Sequence, residues 1–359
     1  METTESGISN TTARDAAAQV FVPLRLISFI KAKILVAKIV LPLILLFGTF
    51  GNVMIIIIMR RMRSAVSSLS VYFTVLAVSD LIGLYTNFMF NLVLKLLRLN
   101  LSPLGRPGCK LIALCLFLTE VTGLMSAWTL VIMTVQRATS VLWPHRVNVF
   151  CTRRKSLLIL LGTFLFSACI NFHIVYGHDV IYISNTTRKV CTYVGDDHIF
   201  FMKNVWPWIS VVSFSLLPFC LIVASNSLLV KTLIASVREN TLKLSAIHSD
   251  QTTSRQRKVS SVTLTLVVVS AAFIVLTLPD CIRILVRYLS PPASVADDLK
   301  FLVAIDFLFE IFGYMWNANS AVNFYLYCLT GAKFRAECLC VLTCNGRFLR
   351  KQAVANTIQ

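Results

Sequence analysis

Seven long apolar segments run through this sequence and constrain its fold more than any other feature. Crossing about 30 Å of hydrocarbon takes roughly 20 apolar residues in a helix. The segments are 36–59, 70–97, 111–136, 156–176, 205–232, 260–287 and 300–328. Only 14% of the 359 residues are charged, against about a quarter in soluble proteins. We therefore expect an all-α integral membrane protein built as one bundle of seven transmembrane helices.

The apolar segments divide the chain into three regions, and the distribution of charge predicts its orientation in the membrane. We expect an amino-terminal tail over 1–35, a transmembrane domain over 36–330, and a short interfacial helix with a tail over 331–359. Few of the acidic residues but more than half of the basic ones fall on the side opposite the amino terminus. That side is therefore strongly basic and is predicted to be cytosolic. An extracellular amino terminus in the plasma membrane also places every Asn-x-Ser/Thr glycosylation sequon outside. These sequons are at Asn10, Asn100 and Asn185.

Several function classes are disfavoured by the same sequence. The net charge of +18 does not indicate nucleic-acid binding, because the basic residues lie between apolar segments rather than along one face. The five histidines form no HExxH-type metal motif, and no Gly-rich phosphate loop is found, so no enzyme is predicted. Transporter halves often resemble each other, and this sequence has no internal repeat. A signalling receptor is favoured, with a transporter or channel as the weaker alternative.

Polar side chains lie at a similar depth in four of the segments. Asn52, Asp80 and Ser126 lie in the first, second and third segments. Polar groups inside a membrane are costly, so such a set is a functional hypothesis, although hydrogen bonds that only pack helices are the plainer explanation. The seventh segment contributes Asn319, Ser320 and Asn323.

Several motifs together resemble the rhodopsin-like class of G-protein-coupled receptors over about residues 36–342. The pair GN at 51–52 and LAVSD ending at Asp80 resemble its first two helices, and VQRATSVLWPHRV resembles its acid-Arg-Tyr motif, with Arg137 as the arginine. Further matches are Phe273 and Pro279 in segment six, and Asn323 and Tyr327 in NFYLY of segment seven. NFYLYCLTGAKFR and SVLWPHRVNVFCTRRKS most resemble invertebrate neuropeptide receptors of the FMRFamide-like and thyrotropin-releasing-hormone-like branch.

This resemblance implies a mechanism and its residues. Arg137 would meet a heterotrimeric G protein once the sixth helix has swung outward about the kink at Pro279. A disulfide is implied between Cys109 and Cys191, with Cys115 as an alternative partner. A sodium ion is the one cofactor implied, since a hard cation binds carboxylate, hydroxyl and amide oxygens. Its ligands would be Asp80, Ser126, Asn319, Ser320 and Asn323.

The sequence also departs from the family pattern. Gln136 stands where an acid normally pairs with the arginine, and Ala138 replaces the tyrosine. Phe324 replaces a proline, which should straighten the seventh helix, and Thr277 stands where a tryptophan is common. The spacing from Cys109 to the arginine is about three residues longer than usual. We therefore expect an activation switch that is present but altered.

Acidic residues in the outer half suggest a cationic ligand, such as an Arg-containing peptide or an amine. Thr119 occupies the place of the aspartate that binds amines in related receptors, which weakens the alternative of a biogenic-amine receptor. Internal pairing of these acids with Arg283 and Arg287 is equally compatible with the sequence. The predicted ligand-binding residues are Thr119, Glu120, Asp280, Arg283 and Glu310.

The stretch from Ala332 to Leu342 has an apolar face and predicts a helix lying along the inner membrane surface. Cysteines near such a helix are candidate palmitoylation sites, although buried and inert thiols are also compatible with the sequence. They are Cys338, Cys340 and Cys344.

Overall fold

Seven long helices and one short one make up most of the computed structural model. It describes residues 24–62, 67–91, 105–143, 152–182, 189–243, 250–289 and 299–343. The helices are α1 (Leu24–Arg61), α2 (Ser67–Phe88), α3 (Gly105–Leu142), α4 (Arg153–Asn171), α5 (Leu217–Lys243), α6 (Asp250–Leu289), α7 (Leu299–Thr330) and α8 (Ala332–Leu342). The order and number of helices predicted from the sequence are confirmed.

Most of the long helices extend beyond the predicted membrane segments. The first was predicted to begin at 36, but α1 begins at Leu24, so part of the predicted tail is helical. The third was predicted over 111–136 and occupies Gly105–Leu142. Hydropathy marks only the part of a helix that lies in hydrocarbon, whereas the backbone hydrogen bonds continue into the flanking polar residues.

The helices form a ring around α3. The helices α2, α1, α7 and α6 pack on one another in that order around the bundle, α5 closes the ring against α3 and α6, and α4 packs on α2 and α3. Between α4 and α5 the chain forms short helical turns, His173–Gly177, Asp196–Asn204 and Trp206–Ser210, and an antiparallel hairpin of β1 (His178–Tyr182) and β2 (Lys189–Tyr193). This hairpin is an addition to the all-α prediction. We call the two ends of the bundle the hairpin end and the α8 end.

Six helices are long and apolar enough to cross a membrane, by length and composition, within the part of the chain that the structure describes. The remaining long helix, α7, packs between α1 and α6. It carries Asp306 and Glu310 near the hairpin end and amide side chains in its middle. Large apolar side chains face outward around the bundle, such as Leu46, Leu158 and Val275, each more than 60% exposed. Such a surface suits lipid.

The backbone geometry of two helices, α5 and α7, has clear local causes. A π-helical stretch, Val211–Leu216, precedes Pro218 in α5; its wider turn relieves the clash of a proline ring with the preceding turn. The seventh helix is continuous, as the presence of Phe324 predicted. Gly51 of α1 makes room for it, since a Cβ on Gly51 would lie 2.8 Å from the Phe324 Cβ. Beside this contact, the Asn52 amide donates to the carbonyl of Ser320 at 2.8 Å and joins α1 to α7.

Candidate functional site

A cavity of about 610 Å³ opens between the helices at the hairpin end. It reaches from Lys33 of α1 at its rim to Ser126 and Asn319 near the middle of the bundle. This volume lies in the range of about 300–1,000 Å³ that is typical of ligand pockets. The charged residues of its lining come from four helices: Lys33, Glu120, Asp280, Arg283 and Glu310. The three acids predicted to meet in the outer half do share one cavity.

Two of these three acids have a basic partner inside the protein. The Arg283 Nε donates to Asp280 Oδ1 at 2.7 Å, one turn along α6. The Lys33 Nζ lies 3.0 Å from Glu310 Oε1 and also pairs with Asp306. Internal pairing, which the sequence left open, therefore applies to Asp280 and Glu310.

The predicted partner Arg287 is exposed on α6. The cation that neutralises Glu310 is instead Lys33, which the sequence analysis had assigned to the tail. The positions of charged residues along the sequence do not reveal an ion pair between α1 and α7.

Glu120 and its neighbour Thr119 face different surroundings on α3. Thr119 is buried, and its hydroxyl donates to Thr86 Oγ1 at 2.8 Å, so it joins α3 to α2 at the cavity wall. Glu120 is partly buried in the cavity, where both Asp280 and Arg283 act on it electrostatically. The difference of one position, about 100° around a helix, turns the carboxylate toward α6.

The floor of the cavity is aromatic. Trp316 of α7 packs against α3 at Gly123, where a Cβ would lie 2.8 Å from the indole ring, so the close approach of the two helices requires glycine. Thr277 of α6 is buried beside the cavity, and its hydroxyl donates to the carbonyl of Phe273 at 2.6 Å. Sequence analysis missed Trp316, because a lone tryptophan in an apolar helix carries no signal of where it points.

The hairpin is fixed to α3 by covalent and ionic links. Cys109 and Cys191 form the predicted disulfide, with Cα atoms 5.3 Å apart, despite the unusual spacing. The Arg106 Nε donates to Asp179 Oδ2 at 2.9 Å, and this guanidinium lowers the pKa of Asp179 to about 2. Lys110 donates to the carbonyl of His178 at 2.6 Å. The hairpin is thus held at the mouth of the bundle.

Three histidines from three elements meet beneath the hairpin. The His173 ring lies 5.8 Å from the His198 ring and 4.2 Å from Trp206, and the His178 ring lies 4.2 Å from Tyr193, as centroid distances. The Nε2 atoms of His173 and His198 are buried and have no hydrogen-bond partner among the described residues. Burial lowers the pKa of both His178 and His198, and the neighbouring Lys110 charge lowers that of His178 further. This cluster was not predicted.

Asp80 is the centre of a buried hydrogen-bond network. The Ser126 hydroxyl donates to its Oδ1 at 2.7 Å, and the Asn323 amide donates to its Oδ2 at 2.8 Å. The Ser320 side chain is a third hydrogen-bond partner. Asn319, predicted to belong to the same set, lines the cavity. The network therefore ties α2, α3 and α7 together directly below the cavity floor.

Arg137 lies at the α8 end of α3, where its Nε donates to the Thr263 hydroxyl of α6 at 3.3 Å. The neighbouring Gln136 has a buried side-chain oxygen that finds no hydrogen-bond partner in the described ranges. Tyr327 is buried in the apolar cluster at this end, with its ring 4.8 Å from that of Phe73. Phe273 belongs to the same cluster and also lines the cavity, so it contacts both halves of the molecule.

The predicted modification sites give a mixed result. Cys338 and Cys340 are buried on α8, and Arg61 donates to the sulfur of Cys340 at 3.3 Å. Burial of both thiols argues against their palmitoylation in this conformation. The remaining predicted sites, Asn10, Asn100, Asn185 and Cys344, lie outside the described residues.

Comparisons with known proteins agree with this architecture. The model of the family "7 transmembrane receptor (rhodopsin family)" matches residues 51–327. The chain is 25% identical over 194 residues to the type-1 angiotensin II receptor A of Xenopus laevis, an alignment that covers 53% of this chain and 51% of that receptor. It is 24% identical over 169 residues to the thyrotropin-releasing hormone receptor of Gallus gallus, covering 46% and 41%.

A longer alignment joins the chain to the sex peptide receptor-related protein 2 of Caenorhabditis elegans. The two are 24% identical over 342 residues, which is 87% of this chain and 72% of the relative. The chain thus spans about half the length of the first two relatives and most of the third.

Proposed function

Because the chain belongs to the rhodopsin family of seven-transmembrane receptors, we propose that it binds an extracellular peptide and signals through a heterotrimeric G protein. The relatives named above are receptors for peptide hormones or related to a peptide receptor by their names. The cavity at the hairpin end is the ligand site of this proposal. The Arg137 surface at the α8 end is its G-protein site.

The observation that carries this proposal is a continuous chain of contacts from the cavity to the α8 end. Ser126 lines the cavity and also donates to Asp80. Phe273 lines the cavity and also packs in the apolar cluster that contains Tyr327. A ligand that displaces either side chain therefore acts on groups that hold the opposite end of the bundle.

The orientation follows from the chemistry of the two ends. A disulfide persists in an oxidising exterior, so the hairpin end is extracellular in this proposal. The α8 end then faces the cytosol of a plasma-membrane protein, and its basic side chains meet anionic lipid headgroups. All three glycosylation sequons are outside in this orientation.

Activation in this proposal is a shift between two arrangements of α6. The bond from Arg137 to Thr263 joins α3 to α6 at the α8 end. Pro279 interrupts the hydrogen-bond ladder of α6 beside the cavity and supplies a hinge. Ligand binding favours the outward arrangement, which breaks the Arg137 bond and turns the guanidinium toward the G protein.

A sodium ion fits the donor chemistry around Asp80. The network offers a carboxylate and the hydroxyls of Ser126 and Ser320, which are the hard oxygen ligands that such a cation binds. A bound ion would offset the carboxylate charge and favour the arrangement in which α2, α3 and α7 stay joined. We include sodium as an allosteric ligand in the proposal.

A cell assay tests the receptor function. The chain is expressed with a promiscuous G-protein α subunit, and calcium is recorded while amidated neuropeptides and biogenic amines are applied. We expect a saturable response to a peptide, and its loss in Arg137→Ala at equal surface expression. A ligand-dependent ion current or solute uptake without a G-protein response would overturn the proposal.

A further inference from the structure

The charges of the cavity do not balance. Among the residues that the structure describes, three acids and two bases line it, which leaves one negative charge. Arg283 is committed to Asp280 through its Nε, and Lys33 is committed to Glu310 and Asp306. The Tyr314 hydroxyl donates to the other oxygen of Glu310 at 3.2 Å. Glu120 is the remaining acid of the described lining, and it has no ion pair of its own there.

The Glu120 carboxylate receives no hydrogen bond or ion pair within the ranges that the structure describes. Its side chain is partly buried between α3 and α6, facing the cavity. Taking a carboxylate out of water without a partner is costly, and the cost is recovered when a cation is placed against it. Asp280 increases this cost because it has the same charge as Glu120, and Arg283, which is bonded to Asp280, offsets part of it.

The groups next to Glu120 suit an organic cation. Gly123 lies one turn along the same face of α3, and the rings of Trp316 and Phe214 stand against it. Aromatic faces attract guanidinium and ammonium groups, and they also exclude water that would screen the charge. A carboxylate at the wall of a cavity, one helical turn from aromatic rings, therefore suits a positively charged side chain.

We propose that Glu120 is the residue that selects the ligand, by pairing with one guanidinium or ammonium group of it, while Asp280 and Glu310 serve to position Arg283 and Lys33. This inference rests on the proposed function only in taking the cavity as the ligand site. It narrows the ligand class to peptides that carry an arginine, a lysine or a free amine at the end that enters the cavity.

A pair of small probes isolates the charge. N-acetylargininamide carries a single guanidinium, and N-acetylcitrullinamide replaces that group with a neutral ureido group of nearly the same shape. Binding of each probe to the purified full-length chain in lipid nanodiscs is measured by saturation-transfer NMR and by the shift of the thermal unfolding midpoint. We expect N-acetylargininamide to bind in the millimolar range, as is usual for so small a ligand, and at least ten-fold tighter than the citrulline probe.

Matched variants assign the effect to one carboxylate. Glu120→Gln is expected to weaken N-acetylargininamide at least ten-fold and to abolish the preference over the citrulline probe. Glu337→Gln is the same chemical change at the α8 end, outside the cavity, and affinity should stay within two-fold. Glu120→Asp keeps the charge on a shorter side chain and should retain the preference, which covers the case in which Glu120→Gln does not fold.

Three results would overturn the inference: equal binding of both probes, no binding of the arginine probe, or an equal loss in Glu337→Gln and Glu120→Gln. None of these results depends on a G protein. A chain that binds the arginine probe through Glu120 but never activates a G protein would retain this inference and lose the proposed function.

Discussion

The two ends of this bundle are held together by different kinds of interaction. The hairpin end is joined by a disulfide and by ion pairs between distant parts of the chain, such as Lys33 with Glu310 and Arg106 with Asp179. The α8 end is joined by hydrogen bonds and packed aromatic rings, and by one looser ion pair, in which the Arg61 Nε lies 4.0 Å from Glu337 Oε2. There, the arginine of the switch, Arg137, donates a hydrogen bond to the hydroxyl of Thr263.

This difference has a functional meaning. Ion pairs around a cavity can be exchanged for ligand contacts at little net cost, because a charged ligand group replaces a charged side chain. Single hydrogen bonds at the opposite end, such as that from Arg137 to Thr263, contribute little individually, so a modest free energy suffices to break them and to move α6. A hairpin end fixed by a disulfide and ion pairs, together with an α8 end that opens at a modest cost in free energy, suits a molecule that converts ligand binding into helix movement.

The largest expected effect comes from removing the covalent link at the hairpin end. Replacing both Cys109 and Cys191 by Ser should lower the free energy of unfolding by about 2–4 kcal/mol, because the link spans a long loop. Thermal unfolding in nanodiscs measures this. The exposed Cys220→Ser is the control and should leave the midpoint unchanged. An unchanged midpoint in the double variant would mean that the ion pairs alone hold the hairpin.

A smaller effect is expected from the Asp80 network in the middle of the bundle. Asn323→Ala and Ser126→Ala each remove one hydrogen bond to Asp80, and each should cost about 1–2 kcal/mol. The exposed Ser227→Ala serves as the matched control in the same unfolding assay. Additive losses in the double variant would show that the two bonds act independently, contrary to the single network described above.

The neutral side chain beside Arg137, Gln136, can be replaced by an acidic one. Gln136→Glu places a carboxylate beside Arg137, and a charge-assisted bond there should stabilise the resting arrangement by about 1 kcal/mol. Basal nucleotide exchange on a G protein should then fall roughly five-fold, since 1.4 kcal/mol corresponds to a factor of about 10. Gln136→Met, which is neutral and of similar size, should leave the exchange rate as it is. A rise in Gln136→Glu would contradict the proposed role of Arg137.

The smallest effect is a pH dependence confined to the hairpin end. Burial lowers the pKa of His178 and His198 in the folded chain, so the unfolded chain takes up protons first as the pH falls. Their contribution to stability is therefore present above about pH 6.5 and is lost below it. Hydrogen exchange corrected for intrinsic rates should show weaker protection of β1 and β2 at pH 5.5 than at pH 7.5. The double variant His178→Asn and His198→Asn should not show this difference.

The polar network in the middle of the bundle and the disulfide of the hairpin end could be predicted from the sequence, whereas the ion pair of Lys33 and the position of Trp316 could not. Asp80, Ser126 and Asn323 lie in apolar helices, where a polar residue is rare enough to be noticed, and their grouping is confirmed. The pairing of Lys33 with Glu310 joins residues at opposite ends of the chain, and no periodicity encodes it. The location of Trp316 depends on a close approach of two helices, which only the packed bundle reveals.

Movement of α6 relative to α3 at the α8 end tests the proposed function most directly. Spin labels at Val135 and Leu264, both exposed on their helices, report the distance between the two helices in the full-length chain in nanodiscs. Adding nucleotide-free heterotrimeric G proteins of each α class is expected to populate a distance several ångströms longer with at least one class, and Arg137→Ala should suppress this population. A distance distribution that none of these G proteins changes would contradict the proposal that this chain is a G-protein-coupled receptor.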